Sequence, residues 1–165
     1  MKEFVITTDS TVDLSKEFLE EKDITVLSLS YILDGVTDRD MDGLSGKEFF
    51  DKLRNGSLPT TSQVNPEEAH AVFEPIVKSG KDILHIGFSS GLSGTYNSCR
   101  IAAEELMEEY PDSKLVVIDS LCASMGEGLL LYKAIELKEQ GKSLEEIAEW
   151  VEENKKYMVH LFTVD

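Results

Sequence analysis

Residues 83–111 read ILHIGFSSGLSGTYNSCRIAAEELMEEYP, and the order of elements in that stretch decides the fold class. Positions 83–88 form a near-continuous apolar run broken only by His85, which suits a strand buried on both faces of a parallel sheet. The segment Ser89-Ser90-Gly91-Leu92-Ser93-Gly94 is a small-residue loop. The spacing after it predicts a long helix over about 94–110, stopped by Pro111. A second buried strand follows at 115–118 and runs into Asp119-Ser120. Two buried strands joined through a helix read as a βαβ unit, whose crossover makes the strands parallel.

Outward from this unit the alternation continues. Toward the N-terminus, 4–7 is a short β-branched strand that enters the polar turn Thr8-Asp9-Ser10-Thr11, and Ser15 opens a helix to about 22. Residues 24–33 alternate in part and read as one strand; Asp34-Gly35 signals a hairpin, with 36–41 returning as an edge strand. Ser45 with Glu48 predicts a capping box and a helix to Arg54, ended by Asn55-Gly56. Pro59-Thr60-Thr61-Ser62-Gln63 reads as a loop. Asn65-Pro66 then starts a helix with Ala69, Val72, Phe73, Ile76 and Val77 inward, closed by Ser79-Gly80. Toward the C-terminus, a helix over 126–140 ends at Gly141, Ser143 with Glu146 caps another to about 154, and 157–164 reads as a last strand. The pattern is that of an α/β fold: a mostly parallel sheet with helices on both faces.

Composition narrows the functions. The 165 residues suit one domain, and 41% hydrophobic with 29% charged content is ordinary for a globular protein. The formal net charge of −16 removes the basic footprint that a nucleic-acid binder needs, and an anionic membrane surface repels such a chain. An anion bound here has to be held by local dipoles and hydroxyls. Cys99 and Cys122 form no C-x-x-C pair and read as core thiols in a reducing compartment. Residues 1–6 resemble no signal peptide and no apolar run approaches the ~20 residues of a membrane span, so the expected location is cytoplasmic.

Hydroxyl-rich clusters recur at the ends of strands: Thr8-Asp9-Ser10-Thr11, Ser89 to Thr95, and Asp119-Ser120 with Ser124 and Gly126. In a parallel sheet these three meet at one edge, where ligands bind. Ser93, Gly94 and Thr95 precede a helix whose unpaired N–H groups and positive dipole end favour a carboxylate or phosphate. Read alone, Ser93 is equally a helix cap, and Thr60-Thr61-Ser62-Gln63 a connector bonded to its own backbone. Other chemistries fit less well. Asp38 to Gly43 opens like a calcium loop, but Phe49 occupies the position that needs a glutamate, so it reads as an acidic hairpin return. The chain has no G-x-x-x-x-G-K-[ST] loop, and Ser93 lies outside a G-x-S-x-G elbow, with no histidine obviously placed to activate it. Phe49-Phe50 and Trp150 read as core residues, and His85 as a core histidine.

Taken in order, five segments resemble the DegV family. They are Thr8 to Leu14, Tyr31 to Gly35, Pro59 to Pro66, Ser89 to Tyr96, and Asp119-Ser120 followed by Ser124-x-Gly126-x-Gly128. The resemblance implies a two-domain α/β protein that encloses one long-chain fatty acid in an apolar tunnel. Residues 1–165 then correspond to its N-terminal domain, with a second domain expected beyond Asp165. It implies that Thr61 and Ser93 hold the carboxylate, with Asp9, Ser10, Thr60, Ser62, Gly94, Thr95, Ser120 and Ser124 in the supporting loops. It implies a carrier with no cofactor and no metal, not itself an enzyme. As in some members of that family, the implied partner is a separate ATP-dependent fatty acid kinase that makes an acyl phosphate for phospholipid synthesis. Two other readings stay open: a small hydrolase or phosphotransferase using Ser93, and a regulatory domain with a structural lipid.

Overall fold

The structure, a computed structural model, describes residues 2–161. Its elements are β1 (Phe4–Asp9), α1 (Lys16–Glu21), β2 (Thr25–Leu27), β3 (Ser30–Leu33), β4 (Val36–Arg39), α2 (Gly46–Arg54) and β5 (Thr60–Ser62). They continue with α3 (Pro66–Lys78), β6 (Asp82–Gly87), α4 (Thr95–Glu109), β7 (Leu115–Asp119), α5 (Met125–Glu139) and α6 (Leu144–Asn154). Short 3₁₀ turns follow β1 (Ser10–Val12) and α6 (Lys155–Tyr157).

The main sheet runs β2-β1-β6-β7, and every pairing in it is parallel. Alternation along β6 explains why it is covered twice. Leu84 and Ile86 face a core built with Leu19, Leu130, Leu131, Ile147 and Val151 of α1, α5 and α6. Ile83 faces the other, with Ala69, Phe73, Val77, Ala102 and Leu106 of α3 and α4. The expected α/β architecture with helices on both faces is therefore present. All six residues of β6 are buried, and the expected core histidine, His85, is 0% exposed. Capping boxes close at Ser45/Glu48, Asn65/Glu68 and Ser143/Glu146, each offsetting orphan N–H groups at a helix start.

Three local expectations are corrected. Residues 24–33 are not one strand: β2 ends at Leu27 on the main sheet, and β3 begins at Ser30 in a second, antiparallel sheet ordered β4-β3-β5. Leu29 makes the switch, donating its amide to Ser10 Oγ at 3.1 Å and accepting from the Asp40 amide at 2.8 Å. Thr60–Ser62 is a strand and not a loop, because its backbone completes the free side of β3. Of the last strand expected at 157–164, the described part forms a 3₁₀ turn and irregular chain with Val159 and Leu161 exposed; positions 162–165 lie outside the described residues. Both side chains stay in solvent, and β-propensity without burial does not make a strand.

Candidate functional site

The chain moves from β1 to β2 on one side of the sheet, while β6 lies on the other side of β1. Beyond the carboxyl ends of β1 and β6 the connections diverge, which is where an α/β sheet opens a crevice. A cleft of about 700 Å³ lies there, within the size range of small-molecule sites. Leu29, Tyr31, Met41, Phe49, Phe50 and Phe88 supply its apolar wall; Thr11, Asp13, Asp40 and Thr61 supply polar groups. Tyr31 is fixed from two sides. Its hydroxyl accepts from the Leu44 amide at 3.0 Å, and its ring packs edge-on to Phe49 at 5.2 Å. Phe50 is 54% exposed, so this aromatic pair is split between packing and the cleft instead of both being core. Helix α2, which carries them, fully buries none of its residues.

Thr61 sits opposite Tyr31 in the β3–β5 register and lines the cleft. Ser93 lies on the β6–α4 loop, where its Oγ contacts Thr95 Oγ1 at 3.0 Å and accepts from the Thr95 amide at 3.2 Å. It therefore closes a local turn onto the first residue of α4, whose N-cap position is Gly94, and its neighbouring hydroxyl is a threonine and not a histidine base. Two hydrogen bonds join the residues just after strand β5, which carries Thr61, to the loop of Ser93 and the start of α4: Gly94 N donates to Gln63 Oε1 at 3.1 Å, and Val64 N to Thr95 Oγ1 at 3.3 Å. The two residues thus belong to one bonded unit at the crevice.

The family model described as "Uncharacterised protein, DegV family" matches residues 3–165. The chain belongs to the DegV family. It is 48% identical over 167 residues to a DegV domain-containing protein of Clostridium perfringens, covering 100% of this chain and 57% of that protein. Among solved structures it is similar to a stearic acid-binding protein from Eubacterium ventriosum (TM-score 0.84, 31% identity, 90% of this chain and 52% of the other). It is similar also to a fatty-acid-binding DegV family protein from Thermus thermophilus (TM-score 0.84, 32% identity, 94% and 54%). The chain thus spans about half the length of the relatives it matches.

The remaining expected site residues of this DegV chain divide by role. Thr60 and Ser62 are exposed on β5. Ser10 is turned to the backbone of Leu29, and Ser120 Oγ accepts from the Cys122 amide at 3.1 Å, so both shape turns. Ser124, at φ 53°, donates to Asp13. Thr95 is buried beneath Ser93. Asp9 is 0% exposed, with Oδ2 accepting from the Phe88 amide at 2.8 Å and Oδ1 from Thr11 N at 3.1 Å and Thr11 Oγ1 at 2.6 Å. Burial pushes its carboxyl upward, against those donors.

Sequence reasoning missed Glu127. It is fully buried on α5, with Oε2 2.7 Å from Thr11 Oγ1 and Oε1 3.3 Å from Thr8 Oγ1. Burial first, and Asp9 second, push its carboxyl up to about 9. The available signal was a charged residue between Gly126 and Gly128, where the chain packs too closely for side chains. His85 is pushed down to about 3 by burial and shares a 3.0 Å contact with Thr7 Oγ1. Cys99 is pushed up to about 12 by burial, which makes it an inert core thiol.

One group of metal-capable side chains stands among the described residues: His70 and Glu74 on α3 with Glu109 on α4. Lys78 Nζ already pairs with Glu74 at 2.9 Å. No helix among the described residues is long and apolar enough to cross a membrane.

Proposed function

We propose that this chain holds a long-chain fatty acid, with the carboxylate at Thr61 and Ser93 and the acyl tail along the aromatic wall of the cleft. The observation that carries this reading is the bonded unit of Gln63–Gly94 and Val64–Thr95, which couples the cleft-lining strand of Thr61 to the Ser93 loop. Hydroxyls and helix-start amides replace the water lost by a carboxylate without adding cationic charge. Affinity comes mainly from the tail, at about 0.8 kcal/mol per buried CH₂. The stearic acid bound by the Eubacterium ventriosum relative and the fatty-acid binding of the Thermus thermophilus relative support the ligand class.

In this reading the protein is a carrier and not an enzyme, and it presents the bound acid to an ATP-dependent kinase that forms an acyl phosphate. The whole carrier includes the further domain that the DegV resemblance implies.

Native mass spectrometry of the purified chain, with chemical identification of what it releases, tests the ligand. A stoichiometric long-chain fatty acid is expected, diminished in Thr61→Ala and in Ser93→Ala. Thr61 is exposed on β5, so its loss leaves the melting temperature nearly unchanged. Ser93→Ala removes the acceptor of Thr95 N and costs about 1 kcal/mol of stability as well, the worth of one hydrogen bond. Equal lipid content in both variants and the parent sinks the site assignment.

A further inference from the structure

Beneath the cleft, the hydroxyl protons do not match the contacts they must make. Thr8 Oγ1 lies 2.8 Å from the Ile86 carbonyl oxygen, which only accepts, so the Thr8 proton goes there. Thr11 Oγ1 has one proton and two carboxyl oxygens beside it, Asp9 Oδ1 at 2.6 Å and Glu127 Oε2 at 2.7 Å. With both acids ionised, one of those short contacts would join two lone pairs. One added proton resolves the two short Thr11 contacts, leaving only the longer 3.3 Å approach of Thr8 Oγ1 to Glu127 Oε1 without a hydrogen, and the geometry says where that proton sits. Both Asp9 oxygens already accept from backbone amides, of Thr11 and Phe88, which only donate. The partners of Glu127 are the two threonine hydroxyls, and a hydroxyl can accept. The chain therefore runs Glu127 Oε2–H to Thr11 Oγ1, and Thr11 Oγ1–H to Asp9 Oδ1.

We propose that Asp9 and Glu127 share one proton through Thr11, and that this proton clamps together the two loops that flank the cleft. Asp9 spans the crevice. On one side it holds Thr11, which lines the cleft; on the other it holds the amide of Phe88, which lines the cleft and leads into the Ser89–Ser93 loop. Glu127 is the positioning residue: protonated, it directs the Thr11 hydroxyl onto Asp9; ionised, it competes for that hydroxyl and places a second buried negative charge against the first. Such a pair titrates as a unit. Among the described residues, the charged groups that bear most on the pair are acids. Asp9 and Asp13 bear on Glu127, Asp40 bears on Asp9, and Cys122 in the loop before α5 faces Glu127 and Asp119. His85 on β6 is neutral, and the His160 ring packs against Gly126. Loss of the proton then loosens both arms of the clamp. The inference stands on the protein alone and does not require a fatty acid in the cleft.

Carboxyl-carbon and amide NMR of the 165-residue chain, titrated from about pH 5 to about pH 10, tests it. The expected result is one carboxyl that stays protonated through neutral pH, with the Thr11 and Phe88 amides shifting at its midpoint. Both signals disappear in Glu127→Gln, whose neutral amide donates to Thr11 as the protonated acid does. If every glutamate titrates in the ordinary range, or the two amides stay still at that midpoint, the clamp is overturned. Thr11→Val keeps the shape and removes the bridging hydroxyl. There the Phe88 shift is expected to shrink several-fold, and an undiminished shift also overturns the proposal.

Discussion

Gln63 and Gly94 meet closely: the Gly94 amide donates to Gln63 Oε1 at 3.1 Å, and a Cβ at position 94 would lie 2.3 Å from that oxygen. The backbone there, at φ −76°, accepts any residue, and the obstructing atoms are the end of a flexible side chain. Gly94→Ala should therefore fold normally while swinging Gln63 away and uncoupling the Thr61 strand from the Ser93 loop. A circular-dichroism melt within a few degrees of the parent, with displacement of a fluorescent fatty acid weakened about tenfold (~1.4 kcal/mol), is the expected pair of results. Unaltered affinity would show that the coupling is dispensable.

Gly128 makes the opposite kind of contact. A Cβ there would lie 2.5 Å from the Val12 carbonyl oxygen, which is backbone and cannot rotate aside. Gly128→Ala should push α5 off the 3₁₀ turn that follows β1, at a cost of about 1–3 kcal/mol typical of overpacking. Chemical denaturation measures this directly, and a midpoint equal to the parent's would contradict the close approach.

Buried Glu127 sets a pH dependence whose sign follows from its raised value. Between the unfolded value of about 4.5 and the folded value of about 9, the folded protein holds one proton that the unfolded chain has lost. Stability from this group is fully present below the lower value and falls as pH rises through the window, by at most about 1.4 kcal/mol per pH unit. Glu127→Gln lacks the slope. Melting curves of the two proteins should diverge steadily from pH ~5 to pH ~9, the parent losing ground. Parallel curves across that range would mean Glu127 ionises normally in the fold.

Phe50 exposes 54% of its surface on the cleft side of α2, whereas Phe49 packs against Tyr31. Phe50→Ser should leave stability within about 0.5 kcal/mol, as exposed positions do, and lower fatty-acid affinity by removing apolar wall. Phe49→Ser should instead lower the melting temperature, because it dissolves the aromatic pair. Calorimetry with lipid titration separates the two, and equal stability losses would place both rings in the core.

Much of this was legible locally. The near-continuous apolar run at β6, broken by His85, announced a strand covered on both faces, and the residues that cap α2, α3 and α6 announced their starts, because periodicity and capping are properties of neighbours in sequence. The switch at Leu29 was not legible. The stretch 24–33 looks uniformly β-prone, and its division between two sheets depends on Ser10 and Asp40, which are distant in the chain. Strand β5 was hidden for a related reason: Thr60–Ser62 is polar and exposed, and only the free edge of β3 makes it a strand.

The sequence by itself determined the α/β class, the helix boundaries, the DegV family and the hydroxyl-rich loops, since each is written in short-range pattern. Only the tertiary structure decided that Gln63 reaches Gly94, that Asp9 spans from Thr11 to Phe88, and that Glu127 is buried against them. A carboxylate's character depends on what surrounds it: the same glutamate is a solvated surface charge or a protonated donor according to burial and partners. Those partners lie 116 and 119 residues away along the chain, at Thr11 and Thr8, and only the packing of α5 against the end of β1 and the 3₁₀ turn after it brings them together.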